Sequence, residues 1–192
     1  LANNLMDYVG MSRYRTTKEV INHLKQRALE TPEGEWITGR NWDPAVQDGP
    51  EELTIAILDS VSTKHPIFIL NASGHLAYAN SRAFEAAGID SNVKNPNGAE
   101  FVRDTDGKLI GVMKNMLSFI QVMQANPKMQ SFEFVPALIE LLNDWSAVGV
   151  TTSSELALGA STNSPKDLDI MLEASKNEGF SVRLRAYPSY II

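Results

Sequence analysis

Cysteine is absent from all 192 residues. That excludes disulfide frameworks, thiolate zinc sites and thiol nucleophiles. It leaves the compartment open; the cytoplasm is favoured only as the ordinary default. No apolar run approaches the roughly 20 residues of a membrane span. Basic residues form no stripe, and 17 Lys and Arg against 23 Asp and Glu give a net charge of -6. That balance argues against nucleic acid as a partner. Histidine is scarce, with only His23, His65 and His75. Internal repeats, low-complexity tracts and flexible linkers are missing as well. What is present is ordinary for a folded domain, with 43% apolar and 21% charged residues. The length allows one domain with a real core, or a piece of something larger. The first residue is leucine and no charged-then-apolar leader follows, so the chain reads as an excerpt or a processed product.

Hydrophobic spacing sets the expected elements. "TTKEVINHLKQRALET" places Val20, Ile21, Leu24 and Ala28 on one helical stripe, with Thr16 or Thr17 as cap and His23 off the stripe and exposed. "EWITGRNWD" reads as a strand entering a polar loop, and "PEELTIAILDSV" as a helix with Pro50 in its first turn. "HPIFIL" is an unbroken apolar run, the mark of a strand buried on both faces. "ANSRAFEAAGI" predicts a helix ended by Gly88, and "EFVRDTDGKLIG" a hairpin turning at Asp106-Gly107. From about residue 132 the order is helix, strand, helix, strand, which implies parallel strands joined by crossover helices.

Two families carry segments like "IFILNASGHLAYANSRAFEAAGI". Sensor domains of the PAS type offer an apolar strand, a glycine turn, a second strand and a helix. That alternative is centred on residues 67–112 and requires further consecutive strands, where this chain offers two long helices. The second resemblance covers nearly the whole chain. "WITGRNWD", "HPIFIL", "GH…NS…AGI", "NPNGAEFVRDTDGKLIGVM" and "GVTTSSE" occur in the order found in the YtcJ-like branch of the amidohydrolase superfamily. Each motif is weak alone, and their order makes the set specific.

That resemblance implies an α/β fold: part of a (β/α)8 TIM-type barrel with an inserted β-hairpin and helical subdomain. It implies an insert-bearing region at about 34–125 and βα barrel units at about 132–192. It also implies a parent enzyme that uses a divalent metal, usually zinc, to hydrolyse an amide or formamide C–N bond in a small-molecule substrate. The family's metal ligands include a His-x-His pair and two later histidines. None of the three histidines here matches, so the resemblance implies that the ligands and the remaining barrel segments lie in other sequence. No metal is then expected on this chain alone, and the isolated segment is expected to be inactive. A cut barrel would expose sheet edges, notably at Tyr190, Ile191 and Ile192, so self-association is expected. A non-catalytic interaction domain is the third reading.

Four residues are candidates for the site. Glu155 ends "VGVTTSSE", where a barrel strand would present a carboxylate that manages protons as water attacks. As a purely structural group it would be a helix N-terminal charge. His75, past the strand "IFIL", would face substrate; otherwise it is a turn histidine satisfied by backbone. Trp42 and Asp43 would form a pocket lip, although Asp43-Pro44 is also an ordinary turn starter. Asn80 and Ser81 read as helix caps. One departure concerns Asn115, which stands where relatives carry glutamate in a "G-V-L-x-E" pattern. An amide cannot act as a general base.

Overall fold

The structure, a computed structural model, describes residues 5–131, 133–159 and 166–189. Two bodies form along the chain, one up to residue 131 and one from residue 132 onward.

The first body is built on one mixed sheet. Its strands are β1 (Asp7–Tyr8), β2 (Ile37–Trp42), β3 (Ile67–Asn71), β4 (Leu76–Ala79), β5 (Glu100–Arg103) and β6 (Leu109–Lys114). They lie in the order β1-β2-β3-β4-β6-β5. β1, β2 and β3 are parallel, because the helices α1 (Thr17–Glu30) and α2 (Ile55–Asp59) return the chain between them. The turn after Asn71 is too short for a crossover, so β4 runs back antiparallel, and β6 and β5 continue the meander. α3 (Ser81–Ala86), α4 (Met116–Gln124) and α5 (Pro127–Gln130) complete this body.

Alternation along the central strands sorts the core onto both faces of this sheet. Ile67, Ile69, Tyr78 and Val112 join Val20 and Leu24 of α1 and Leu58 of α2. Phe68, Ala77, Ala79 and Met113 join Ala83 and Phe84 of α3 and Phe119 and Val122 of α4. The apolar run "HPIFIL" is thus buried on both sides, as its composition predicts.

Several boundaries differ from the sequence reading. The helix expected from Pro50 begins at Ile55, because Thr54 supplies the cap by accepting a bond from the Ile57 N–H. β1 is too short to leave a periodic signal. "LAYA" pairs as β4 with both β3 and β6. His23 is half-buried rather than exposed: its Nε2 lies 3.1 Å from Asp7 Oδ2, and its ring stacks against Tyr14. Residues 67–114 form the antiparallel pairing that a sensor would need, yet they continue a parallel β1–β3 unit that such a domain lacks.

The second body contains α6 (Phe134–Ala147), β7 (Thr152–Leu158), α7 (Lys166–Ala174) and β8 (Arg183–Pro188). β7 and β8 are parallel, as the helix-strand alternation predicts. Leu138 and Leu142 of α6 bury against Ala174 and Val182. Tyr190, Ile191 and Ile192, and the start of "SPKDLD", lie outside the described residues.

Burial has one measurable consequence at high pH. Tyr78 is buried, and loss of water pushes its phenol up to about 12, against a smaller lowering by the Asn71 amide bonded to its oxygen. The folded state therefore holds this proton above the unfolded value of 10. Stability is fully present below pH 10 and falls as pH rises towards 12, by about 2–3 kcal/mol in all. Urea titrations between pH 9 and 11, with phenolate absorbance followed in parallel, are expected to show that decline in the wild type but not in Tyr78→Phe.

Candidate functional site

Strand direction decides where functional side chains can gather in the first body. β1, β2 and β3 are parallel, and β6 runs the same way because β4 is antiparallel to both β3 and β6. Four carboxyl ends therefore meet at one edge of the sheet. That edge holds the Asp43 loop after β2, the His75 turn after β3, and Lys114 and Asn115 at the end of β6. Glu100, paired with Lys114 at 3.0 Å, starts β5 at the same edge. In open α/β sheets and barrels, this is the edge where ligands bind.

The backbone takes unusual conformations at the same edge. Among the described residues, two non-glycines have positive φ, Asn41 and Asn115. Asn41, at φ 71°, occupies the bulge where β2 shifts register against β3. Asparagine tolerates that conformation well. Asn115 is more costly, since φ 65° and ψ 153° form a region used almost only by glycine. Three contacts hold it there. Its N–H donates to the His75 carbonyl at 2.7 Å, its amide donates to the Gly98 carbonyl at 2.8 Å, and its own carbonyl accepts from Ser118. Asn115 thus clasps the His75 turn to the end of β6.

His75 is exposed. Its backbone N–H donates to Ser73 Oγ, which shapes the turn. Asp43 is half-buried, and its Oδ1 accepts the Ala45 N–H in a tight local turn. Trp42 has no exposed surface. Its indole donates to Thr17 Oγ1 and its ring meets Tyr78 edge-on at 4.9 Å, so it supports the Asp43 loop from the core and presents no wall to a ligand. Gln47 gave no signal in the sequence, yet it organises the loop. Buried, it accepts the Asp43 N–H and donates to the carbonyls of Val9 and Tyr14.

Glu155 belongs to the second body. β7 runs on through "LAL", so Glu155 sits mid-strand rather than at a carboxyl end. The periodic signal ends at Glu155, while register with β8 continues past an irregularity to Leu158. Its Oε1 accepts the Ala157 N–H, and the side chain lines a cleft of about 440 Å³ between β7 and the two helices.

The family model described as the amidohydrolase family matches residues 6–190. The chain belongs to that family. Among its relatives, the putative amidohydrolase YtcJ of Bacillus subtilis (strain 168) is 25% identical over 143 residues, covering 74% of this chain and 27% of that protein. The N-substituted formamide deformylase of Arthrobacter pascens is 29% identical over 139 residues, covering 71% of this chain and 26% of that protein. A crystal structure of an uncharacterized metal-dependent hydrolase from Pyrococcus horikoshii OT3 superposes with a TM-score of 0.51 at 18% identity. It covers 95% of this chain and 32% of that one. The chain therefore spans about a quarter to a third of the length of these three proteins.

Amidohydrolase membership raises the question of a metal, and the donor set answers it for these residues. Among the described residues, no group of three or more His, Cys, Asp and Glu is placed to hold an ion. His65 is buried, with Nε2 donating to the Thr31 carbonyl and Nδ1 accepting from the Ser62 hydroxyl. His23 shares Asp7 with the cation Arg27. His75 has no second imidazole beside it. These residues do not fit a metal centre. No helix among the described residues is long and apolar enough to cross a membrane.

Proposed function

We propose that this chain is a segment of a longer metal-dependent amidohydrolase that cleaves an amide or formamide C–N bond other than a peptide bond. The observation that carries the reading is the carboxyl edge of the first sheet. The strained Asn115, a carboxylate and a histidine collect where the family resemblance puts substrate. Strain of this kind costs about 1–3 kcal/mol per residue and persists where function requires a fixed geometry. The relative named N-substituted formamide deformylase supports a formamide-like substrate.

In this reading His75 and Asp43 are the substrate-binding residues of the first body, and Trp42 holds their loop from behind. Glu155 is the acid–base residue of the second body. Water adds to the carbonyl carbon, the carboxylate of Glu155 takes one of its protons, and that proton passes to the departing nitrogen as the C–N bond breaks. The products are a carboxylic acid and an amine. A divalent ion, zinc in this reading, would be held by residues in the remaining barrel segments, and the segment alone is inactive. Asn115, in place of the family's glutamate, supplies geometry without a charge.

The second body supports incorporation into a larger sheet. Both of its strands are edges among the described residues, and Leu156 and Tyr187 on them are exposed. Such edges pair with further strands, in the whole enzyme or in a second copy of the segment. The test of the reading is amine release from N-substituted formamides by the whole enzyme. Glu155→Gln is expected to lower kcat by about a hundredfold or more, the usual contribution of a positioned acid–base group. An unchanged kcat would remove Glu155 from the chemistry.

A further inference from the structure

The cleft of the second body, which holds Glu155, also has the form of a binding site. Its volume of about 440 Å³ suits a small molecule. Phe134, Leu138 and Trp145 of α6 wall one side and Met171 of α7 another, with β7 as the floor. Two carboxylates enter this apolar space, Glu155 from the floor and Asp167 from α7. No lysine, arginine or histidine is among the described residues that line it.

Each class of occupant can be weighed against that composition. An anion would meet the half-buried carboxylate of Glu155, a like charge with no cation among the described lining residues to offset it. A metal ion would lack donors, since no cluster of three ligating side chains exists among the described residues. A neutral apolar molecule would fit the walls but strip water from Glu155 without replacing it. A cation with an apolar body satisfies walls and floor together. Glu155 is held in place for this role, because one oxygen accepts the Ala157 N–H at 2.9 Å and the carboxylate retains further acceptor capacity. The Trp145 ring adds a face that attracts an organic cation.

We propose that this cleft binds a small organic ammonium ion, its apolar body against Phe134, Leu138, Trp145 and Met171 and its charge on Glu155. The ligand class is a primary amine carrying an aryl or alkyl chain, in its protonated form.

Binding is read without turnover, so its failure and the failure of the hydrolase reading are separate results. The full chain is titrated with phenylbutylammonium while the indole N–H resonance of Trp145 is followed by NMR. Phenylbutanol and phenylbutyrate serve as neutral and anionic probes of the same shape. The ammonium is expected to saturate the shift, the alcohol to bind about tenfold more weakly, and the carboxylate not to bind. Glu155→Gln should weaken the ammonium about tenfold and leave the alcohol unchanged. Ala157→Trp, at an exposed position on the rim, should fill the cleft and abolish binding of both. Equal affinity for ammonium and alcohol, full ammonium affinity in Glu155→Gln, or no saturable shift would each overturn the proposal.

Discussion

Replacing Asn80 by alanine is expected to destabilise the first body by about 3–5 kcal/mol, far more than the loss of a helix cap. Asn80 is completely buried, and its amide makes four bonds. Oδ1 accepts the N–H of Ile67 and the N–H of Ala83, both at 2.9 Å. Nδ2 donates to the carbonyls of Ser62 and His65, at 2.9 and 3.0 Å. That uses the full hydrogen-bonding capacity of an asparagine side chain. Alanine would leave backbone groups from three segments without partners in a space that water does not enter. A cap alone is worth about 1 kcal/mol. Urea unfolding separates the cases: a loss near 1 kcal/mol would mean that the long-range bonds contribute little. Asn80→Asp keeps the two accepted bonds but turns a charged acceptor oxygen onto the Ser62 and His65 carbonyls, so at neutral pH it should cost at least as much as alanine.

The second large effect is at Gly111. A methyl group there would stand 2.5 Å from the Ala79 carbonyl oxygen and 2.9 Å from the Ile55 nitrogen, both backbone atoms. The residue also has φ +92°, which side chains rarely adopt. The ladder between β4 and β6 pairs Tyr78 with Val112, and the next residues on each strand, Ala79 and Gly111, press together where α2 begins. Only glycine fits that approach. Gly111→Ala is expected to cost about 3–5 kcal/mol or to prevent folding of the first body. Gly107 is the control. It has φ +79° but open space around its Cα, so Gly107→Ala should cost only about 1–2 kcal/mol. Similar losses at the two positions would show that backbone conformation, not crowding, controls the site.

Legibility in the sequence followed the range of the interactions. Helix α1 was readable because its stripe and its capping pair, Thr16 with Glu19, lie within four residues of one another. The hairpin of β5 and β6 was readable from one Asp-Gly turn, and β3 from its unbroken apolar run. Asn80 was legible only as a cap, since its bonds to Ser62, His65 and Ile67 span 13 to 18 residues. Gln47 was silent for the same reason, its partner Val9 lying 38 residues away. Trp42 shows how an aromatic beside a carboxylate misleads: the pair suggests a pocket lip, yet the sheet turns the ring into the core. β7 outran its signal because its later residues are exposed and carry no alternation. Asn115 was visible as a departure from a motif, but its strained backbone and its grip on the His75 turn depend on the pairing of β4 with β6.

The most direct test of the central claim compares three proteins in one amine-release assay with an N-substituted formamide. They are the whole enzyme with its divalent metal, the whole enzyme carrying Glu155→Gln, and this 192-residue chain alone supplied with the same metal. The account predicts turnover by the first, a rate lower by about a hundredfold or more in the second, and none by the third. Hydrolysis by the isolated chain at the rate of the whole enzyme would contradict it, because a complete active site would then lie within these residues.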